Sequence, residues 1–567
     1  MRLRPGLLEA AIVLAVVAHS ACFVWRCPAV LAPAGELGLL EEFRAAPWTR
    51  HLSPWVAEYV RYYPPLYQGW LALCPWPGGR LSPVLLVLWG DLPAATGLLV
   101  LAAALRRLTG GRTAPVACLL LVAGFPLANA LLKNPGYEIG LFAAVSAILG
   151  TLWVLALERP PGRPIAITLG LLTGAGLLCK WTLPLYVAGP AAAVLLPGLL
   201  RRGTFASTAR WLGVAATAAA LLAGPWYLLC LDRARLLATA ANDVTFPGTA
   251  GWEAYRQGLS WCLEHLRFAV GPASEPFLAA GWALALRKRP GFAAGAALSI
   301  LLPLAVLPVF PHQEPRYLLA LLPALAAGAA TGLGALRWTA GRRAALLGLA
   351  AAAALQSFQF TWGHFGDPCL PAQCGPLTAT DSQLRMYSLD LGLTEQLQLR
   401  RLRWSLELFT DQRPGTFAVH PLEALGAAKS EVIGFADRVA PTPGVRADLR
   451  GYNWSEYRRF LEDLDVGQPD LLLVSGATLD ADPEQGRYWA RNAWGYVAQA
   501  GRVLAAGDAG VPEDPFVLER IDRAYGILET VPTPCGPVYL LVRRELWARS
   551  GHAGGLPGLP RPARQRR

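Results

Sequence analysis

The first 360 positions alternate between long apolar runs and short polar stretches. A helix needs about 20 predominantly apolar residues to cross the hydrocarbon of a bilayer. Runs approaching that length fall at 7–25, 82–105, 113–132, 138–157, 164–179, 182–200, 211–231, 274–286, 291–311, 317–336 and 344–360. The pair 164–179 and 182–200 reads either as two elements or as one long, bent one. Several runs are rich in Ala and Gly, which suits close helix packing in lipid. Beyond about position 360 the pattern changes. DLLLVSG (470–476) and VYLLVRREL (538–546) read as strands, and WSEYRRFLEDL (454–464) reads as a helix. The pattern thus predicts a polytopic α-helical membrane protein of about 11 transmembrane helices with a C-terminal soluble α/β domain. Its parts are a membrane core at 1–360 with a long first outer loop at 26–81, an α/β domain at 361–550, and a disordered Gly/Pro/Arg-rich tail at 551–567.

Composition agrees. Apolar residues make up 54% of the chain and charged residues 16%, against about 25% charged in soluble domains. The basic residues fall in alternate loops: Arg2 and Arg4; Arg106, Arg107 and Arg112; Arg159 and Arg163; Arg201, Arg202 and Arg210; Arg287, Lys288 and Arg289; Arg337, Arg342 and Arg343. Every cluster lies on one side if the first span runs from inside to outside. The expected location is the cytoplasmic (inner) membrane, multi-pass, with the N-terminus inside and the segment after 360 outside. A cleaved signal peptide is the alternative for the first span, because Ala18-His19-Ser20-Ala21 resembles a small-x-small site. It would leave the later topology unchanged.

The net charge of +12 reflects these loop clusters. Basic patches interleaved with aromatic residues are missing, so membrane lipids, and not nucleic acid, are the expected partners. Of the ten cysteines, Cys22, Cys118, Cys179 and Cys230 sit in apolar runs as small core residues. Cys369 and Cys374 bracket a four-residue loop and suit a disulfide in an oxidising compartment, but two cysteines make no zinc site.

Ionisable residues at membrane depth are costly and are functional candidates by default. Here Glu36, Glu138, Lys180, Glu314 and Arg316, with His312 nearby, gather at the outer ends of spans. Such a set suits transfer of a group from a lipid phosphate. A carboxylate can accept the proton of an attacking hydroxyl or amine. Cations such as Lys180 and Arg316 can stabilise charge developing on a departing phosphate. Each residue also has a plainer reading. Glu41, Glu42 and Glu58 suit solvated loop charges, and YYPPLYQ (62–68) suits a stiff interfacial turn. Lys180 can snorkel to the surface, and Glu314 with Arg316 can form an interfacial ion pair. A divalent metal is compatible with these carboxylates, although no cluster has ligand spacing.

Five stretches in order resemble the C-type glycosyltransferase superfamily, and most of all its bacterial branch of protein O-mannosyltransferases and lipid A aminoarabinose transferases. Glu36 stands upstream of YYPPLYQ, as the family's acidic motif stands upstream of a Pro-Pro-Leu segment. KNPGYEIGL (133–141) resembles the second acidic loop, GLLTGAGLLCKWTLPLY (170–186) the Gly-rich span ending in Lys, GPWYLL (224–229) a Pro-Trp-Tyr segment, and EPRYLLALLPALA (314–326) the Arg-Tyr-Leu segment. Together they cover about residues 1–340.

The resemblance implies an inverting transferase that takes a sugar from a polyprenyl-phosphate donor to a lipid, glycan or protein acceptor. It implies Glu36 and Glu138 as catalytic residues, and Lys180, Arg316, Tyr63 and Tyr317 as contacts to the lipid phosphate. The family's first motif is usually Asp-Glu or a lone Asp, whereas this chain has Gly35-Glu36-Leu37 and, further on, Glu41-Glu42. Glu41 and Glu42 therefore stand beside Glu36 as alternatives for the base. Two other functions fit the composition: a transporter or lipid flippase, which would carry inverted repeats or charges at the midplane, and an inactive scaffold built on the same core.

Overall fold

The computed structural model describes residues 6–26, 64–75, 82–133, 136–157, 162–230, 252–309 and 315–362 of the helical part. Further on it describes 372–374, 377–379, 417–422, 445–447, 470–475, 522–533, 536–548 and 556–557. In chain order the helices are α1 (Leu7–Arg26), α2 (Leu66–Ala72), α3 (Pro83–Thr109), α4 (Thr113–Gly124), α5 (Pro126–Leu132), α6 (Tyr137–Leu157) and α7 (Arg163–Cys179). They continue with α8 (Leu183–Leu200), α9 (Arg202–Leu229), α10 (Trp252–Val270), α11 (Glu275–Lys288), α12 (Pro290–Val306), α13 (Leu322–Gly334) and α14 (Thr339–Trp362). Short 3-10 segments, Leu307–Val309 and Pro315–Leu321, follow α12 and precede α13.

All eleven expected runs are helical, but they are unequal as spans. Among the described residues seven helices are long and apolar enough to cross a membrane, or eight if α4 and α5 count as one. The runs at α7, α11 and α14 fall outside that test. The sequence left 164–179 and 182–200 open as one element or two, and they form two, α7 and α8. The run at 113–132 is not straight: α4 and α5 meet at 72°. Pro126 explains the break, because a proline disfavours helical backbone in the residue before it; Phe125 is extended, with φ −68° and ψ 121°. The break frees two carbonyls inside an apolar bundle, where an unmade hydrogen bond is costly. Side chains answer them. Gln356 Nε2 donates to Gly124 O at 2.6 Å, and Asn129 Nδ2 and Ser357 Oγ donate to Ala123 O at 2.7 and 2.6 Å.

At the centre of the bundle is α6. Its apolar stretch from Tyr137 to Leu155 is wholly buried, as expected of a helix that is apolar all round. Glycines let α3 approach it closely: a methyl group at Gly97 would lie 2.4 Å from Ala143 O, and one at Gly150 would lie 3.1 Å from the Leu101 Cα. These contacts also show that α3 and α6 run in the same direction. The two ends of the bundle therefore differ in chemistry. Glu9 of α1 pairs with Arg106 at the C-terminal end of α3, and Arg289 Nη1 donates to Leu108 O at 3.2 Å beside them. The start of α6, with Glu138, lies at the opposite end.

The C-terminal part contains a two-stranded antiparallel sheet, β1 (Ala372–Cys374) with β2 (Leu377–Ala379). It also contains a five-stranded mixed sheet of β3 (Phe417–Leu422), β4 (Val445–Ala447), β5 (Leu471–Ser475), β6 (Tyr525–Thr533) and β7 (Gly536–Arg543), in the order β4-β3-β5-β7-β6. β3 is parallel to β4 and β5, while β7 is antiparallel to β5 and β6. The apolar runs at 470–476 and 538–546 thus supply β5 and β7, adjacent strands, although β7 ends at Arg543 and Arg544–Ala548 is a short helix. The expected helix at 454–464 and the Cys369–Cys374 pairing involve residues outside those described.

Candidate functional site

Three charged side chains from distant parts of the chain meet at the start of α6. Glu138 lies in the first turn of α6, where the partial positive charge of the helix N-terminus favours a carboxylate. Lys180 ends α7 in extended backbone (φ −157°, ψ 131°) and opens the tight turn into α8. Arg316 is the second residue of the 3-10 segment before α13. Lys180 Nζ lies 3.1 Å and Arg316 Nε 3.2 Å from the same oxygen, Glu138 Oε1. The Glu138 and Lys180 side chains are each 6% exposed and that of Arg316 is 23% exposed. Arg316 is the member of the trio most open to a ligand.

Two tyrosines complete the cluster. Lys180 Nζ lies 4.7 Å from the ring centre of Tyr137 and 4.5 Å from that of Tyr317. The Arg316 guanidinium lies 5.6 and 6.0 Å from the same rings. Ring faces attract cations, and more strongly where water is excluded. Taking a lysine and a glutamate out of water is costly, and a buried pair persists only when further contacts satisfy it. Here the second cation and the two rings supply them. Tyr186 of α8 fixes the far side, its hydroxyl donating to Tyr317 O at 2.8 Å.

The Pro-Pro-Leu-Tyr stretch packs on α6 through Tyr67 of α2. Its hydroxyl donates to Gly90 O of α3 at 2.9 Å. Its ring packs against Gly140, two residues after Glu138, and α2 is locked in place by Trp70. Trp70 and Trp89 stack at 4.5 Å and exchange reciprocal hydrogen bonds, each indole donating to the other's carbonyl at 3.0 and 2.7 Å. Between α2, α3, α6 and α7 lies an apolar cavity of about 350 Å³, lined by Tyr67, Trp70, Pro93, Gly140 and Cys179 among others. The cavity is lined by Gly140, Ala143, Ala144 and Ala147 of α6, the face turned away from Glu138, so it is separate from the cationic cluster.

Of the candidates read from the sequence, Glu138, Lys180, Arg316 and Tyr317 are brought together. Glu36, Glu41, Glu42 and Tyr63 lie outside the described residues, as do His312 and Glu314. Among the described residues no group of three or more His, Cys, Asp or Glu side chains is placed to hold a metal ion. The sequence reading passed over Tyr67, Tyr137 and Tyr186. Tyr137 had a local signal, an aromatic residue beside an intramembrane carboxylate, whereas the role of Tyr186 depends on a backbone carbonyl 131 positions away. It also passed over Asp91, fully buried in α3, whose carboxylate has no hydrogen-bond partner among the described residues.

No family model and no curated protein sequence matches the chain. Solved structures do. The chain is similar to ArnT from Cupriavidus metallidurans bound to undecaprenyl phosphate, at 14% identity and a TM-score of 0.49, over 95% of this chain and 98% of that one. It is similar to the Archaeoglobus fulgidus oligosaccharyltransferase in complex with Zn and sulfate, at 14% identity and a TM-score of 0.43, over 76% of this chain and 61% of that one. A third likeness is to AglB, the oligosaccharyltransferase of the same archaeon, with an inhibitory peptide and a dolichol-phosphate. It has 14% identity and a TM-score of 0.41, over 84% of this chain and 72% of that one.

Proposed function

We propose that this chain is a membrane glycosyltransferase of the inverting kind, moving a sugar from a polyprenyl-phosphate donor to a lipid, glycan or protein acceptor at the outer face of the cytoplasmic membrane. The observation that carries the reading is the convergence of Lys180 and Arg316 on Glu138. Such a pair of cations at one end of an apolar helical bundle suits an amphiphile with an anionic head. The phosphate sits against Lys180 and Arg316, with Tyr317 beside it, and we assign Tyr63 as a further contact from the motif resemblance.

In the reaction the acceptor oxygen or nitrogen attacks the anomeric carbon from the face opposite the phosphate. Its proton passes to a carboxylate of the first outer loop, which we assign to Glu36, with Glu41 or Glu42 as the alternatives. The bond from the anomeric carbon to the phosphate oxygen breaks, and the electron pair stays on the phosphate. Lys180 and Arg316 stabilise that growing charge. Glu138 serves the step by holding both cations in place. Being pre-paired, they need no reorganisation as the charge develops. The sequence supports the same reading through its five ordered motifs. The test compares cell-envelope glycans and glycolipids by mass spectrometry in a deletion strain rescued by wild type or by Glu36→Gln. Loss of one glycan on deletion, restored only by wild type, is expected. A deletion that alters no glycan or glycolipid overturns the reading, and full rescue by Glu36→Gln moves the base to Glu41 or Glu42.

A further inference from the structure

Away from the cationic cluster, α7 and α9 enclose an open apolar groove of about 770 Å³, lined by Ile167, Leu171, Val214, Thr217 and Leu222, with Arg210 as its one charged residue. We propose that this groove seats an acyl chain of an anionic glycerophospholipid from the leaflet at the arginine-rich end of the bundle, with the phosphate held by Arg210 and Arg163.

The packing of the two helices makes the groove. A methyl group on Gly170 would lie 2.2 Å from Ala215 O, and one on Gly174 would lie 3.0 Å from Ala219 O. The backbones therefore touch along the glycines, and the long side chains to either side stand up as walls. Those walls are open: Ile167 is 45% and Leu221 75% exposed. The same contacts set the level of one helix against the other. Gly170 faces Ala215 and Ala218, and Gly174 faces Ala219 and Leu222, so the two helices run in the same direction with a constant offset. At that offset Arg163, at the start of α7, falls level with Arg210 of α9. Both are exposed, and Arg201 lies at the same end of the bundle, one residue before α9 begins.

Length and charge then select the occupant. From Arg210 to Leu222 the helix rises ~18 Å at 1.5 Å per residue. Half of a hydrocarbon core ~30 Å thick is ~15 Å. The groove thus runs from the level of a headgroup to the middle of the bilayer, which is the depth of one acyl chain. Its charged mouth is basic, and basic residues beside a membrane select anionic lipids. A second copy of the chain fits less well, because the close-packing glycine face of α7 is already spent on α9. This site stands whether or not the chain is a transferase, since it shares no residue with the Glu138 cluster.

The experiment uses the full chain, purified and delipidated in detergent. It is titrated with palmitoyl-oleoyl phosphatidylglycerol or with the matching phosphatidylcholine, and retained lipid is counted by native mass spectrometry. We expect phosphatidylglycerol to be retained at least fivefold better. The preference should vanish in Arg163→Gln/Arg210→Gln, survive in Arg210→Lys, and weaken in Thr217→Trp, which fills the groove. Equal retention of the two lipids, or a preference untouched in the double variant, overturns the proposal. So does a wild-type dimer that Thr217→Trp converts to a monomer with no loss of bound phosphatidylglycerol, because the occupant is then a second copy.

Discussion

Tyr67 and Gly140 fill adjoining space: a methyl group on Gly140 would lie 2.8 Å from Cδ2 of Tyr67. Through this contact the Pro-Pro-Leu-Tyr stretch is seated on the helix that carries Glu138. Gly140→Ala is therefore expected to push α2 off α6 and to cost about 1–3 kcal/mol, the usual range for overpacking. Tyr67→Phe removes only the hydrogen bond to Gly90 and should cost about 1 kcal/mol. Thermal unfolding of the purified variants checks the order. Gly140→Ala combined with Tyr67→Leu should recover part of the loss. If the double variant is as unstable as the sum of the two single ones, Tyr67 is not what Gly140 accommodates.

Removing the carboxylate of the trio should hurt more than removing one cation. In Glu138→Gln, Lys180 and Arg316 are left facing each other without the negative charge they share. Breaking a buried pair in this way costs about 3–5 kcal/mol. In Lys180→Met, Arg316 keeps Glu138 as its partner and the ring faces still cover the site. Unfolding midpoints should therefore rank wild type above Lys180→Met, and Lys180→Met above Glu138→Gln. The reverse order would show that Glu138 does not hold the cations together.

One amide serves three backbone groups around the bend between α4 and α5. Gln356 Nε2 donates to Gly124 O at 2.6 Å and to Val270 O at 2.8 Å, and its Oε1 accepts from Ala273 N at 2.9 Å. Gln356→Leu leaves these groups without that partner in an apolar setting, at about 1–3 kcal/mol for each group left unmade. Ser357→Ala should be milder, because Asn129 still donates to Ala123 O. Hydrogen exchange at the start of α5 checks both, with faster exchange expected in Gln356→Leu and little change in Ser357→Ala.

The sequence announced the site through cost. Glu138 and Lys180 stand at the ends of apolar runs, where a charge requires a reason, and Arg316 follows the same logic. What it did not announce was how they share one oxygen, since that depends on α6, α7 and a 3-10 turn folding to one point. The break at Phe125 had a local sign in Pro126, yet the apolar run around it is continuous and periodicity cannot see a change of direction. The turn at Lys180 was legible only as an alternative, because Lys180-Trp181-Thr182 is too short a polar stretch to separate two spans from a bent one. In the sheet, β5 and β7 were readable as apolar runs. β6 was missed because Glu529, Pro532 and two threonines dilute its pattern, and its strand character comes from pairing with β7.

Binding of a polyprenyl phosphate tests most directly whether Lys180 and Arg316 hold the phosphate of the carrier. Undecaprenyl phosphate is titrated into the purified full chain in detergent and binding is followed by microscale thermophoresis, for wild type, Lys180→Met and Lys180→Met/Arg316→Met. Undecaprenol, which lacks the phosphate, is titrated alongside. Each charge-assisted contact is worth about 1.5–3 kcal/mol, so the double variant should bind at least 100-fold more weakly. Wild type should prefer the phosphate over the alcohol by a similar factor. Equal affinity of wild type and the double variant for undecaprenyl phosphate would contradict the account.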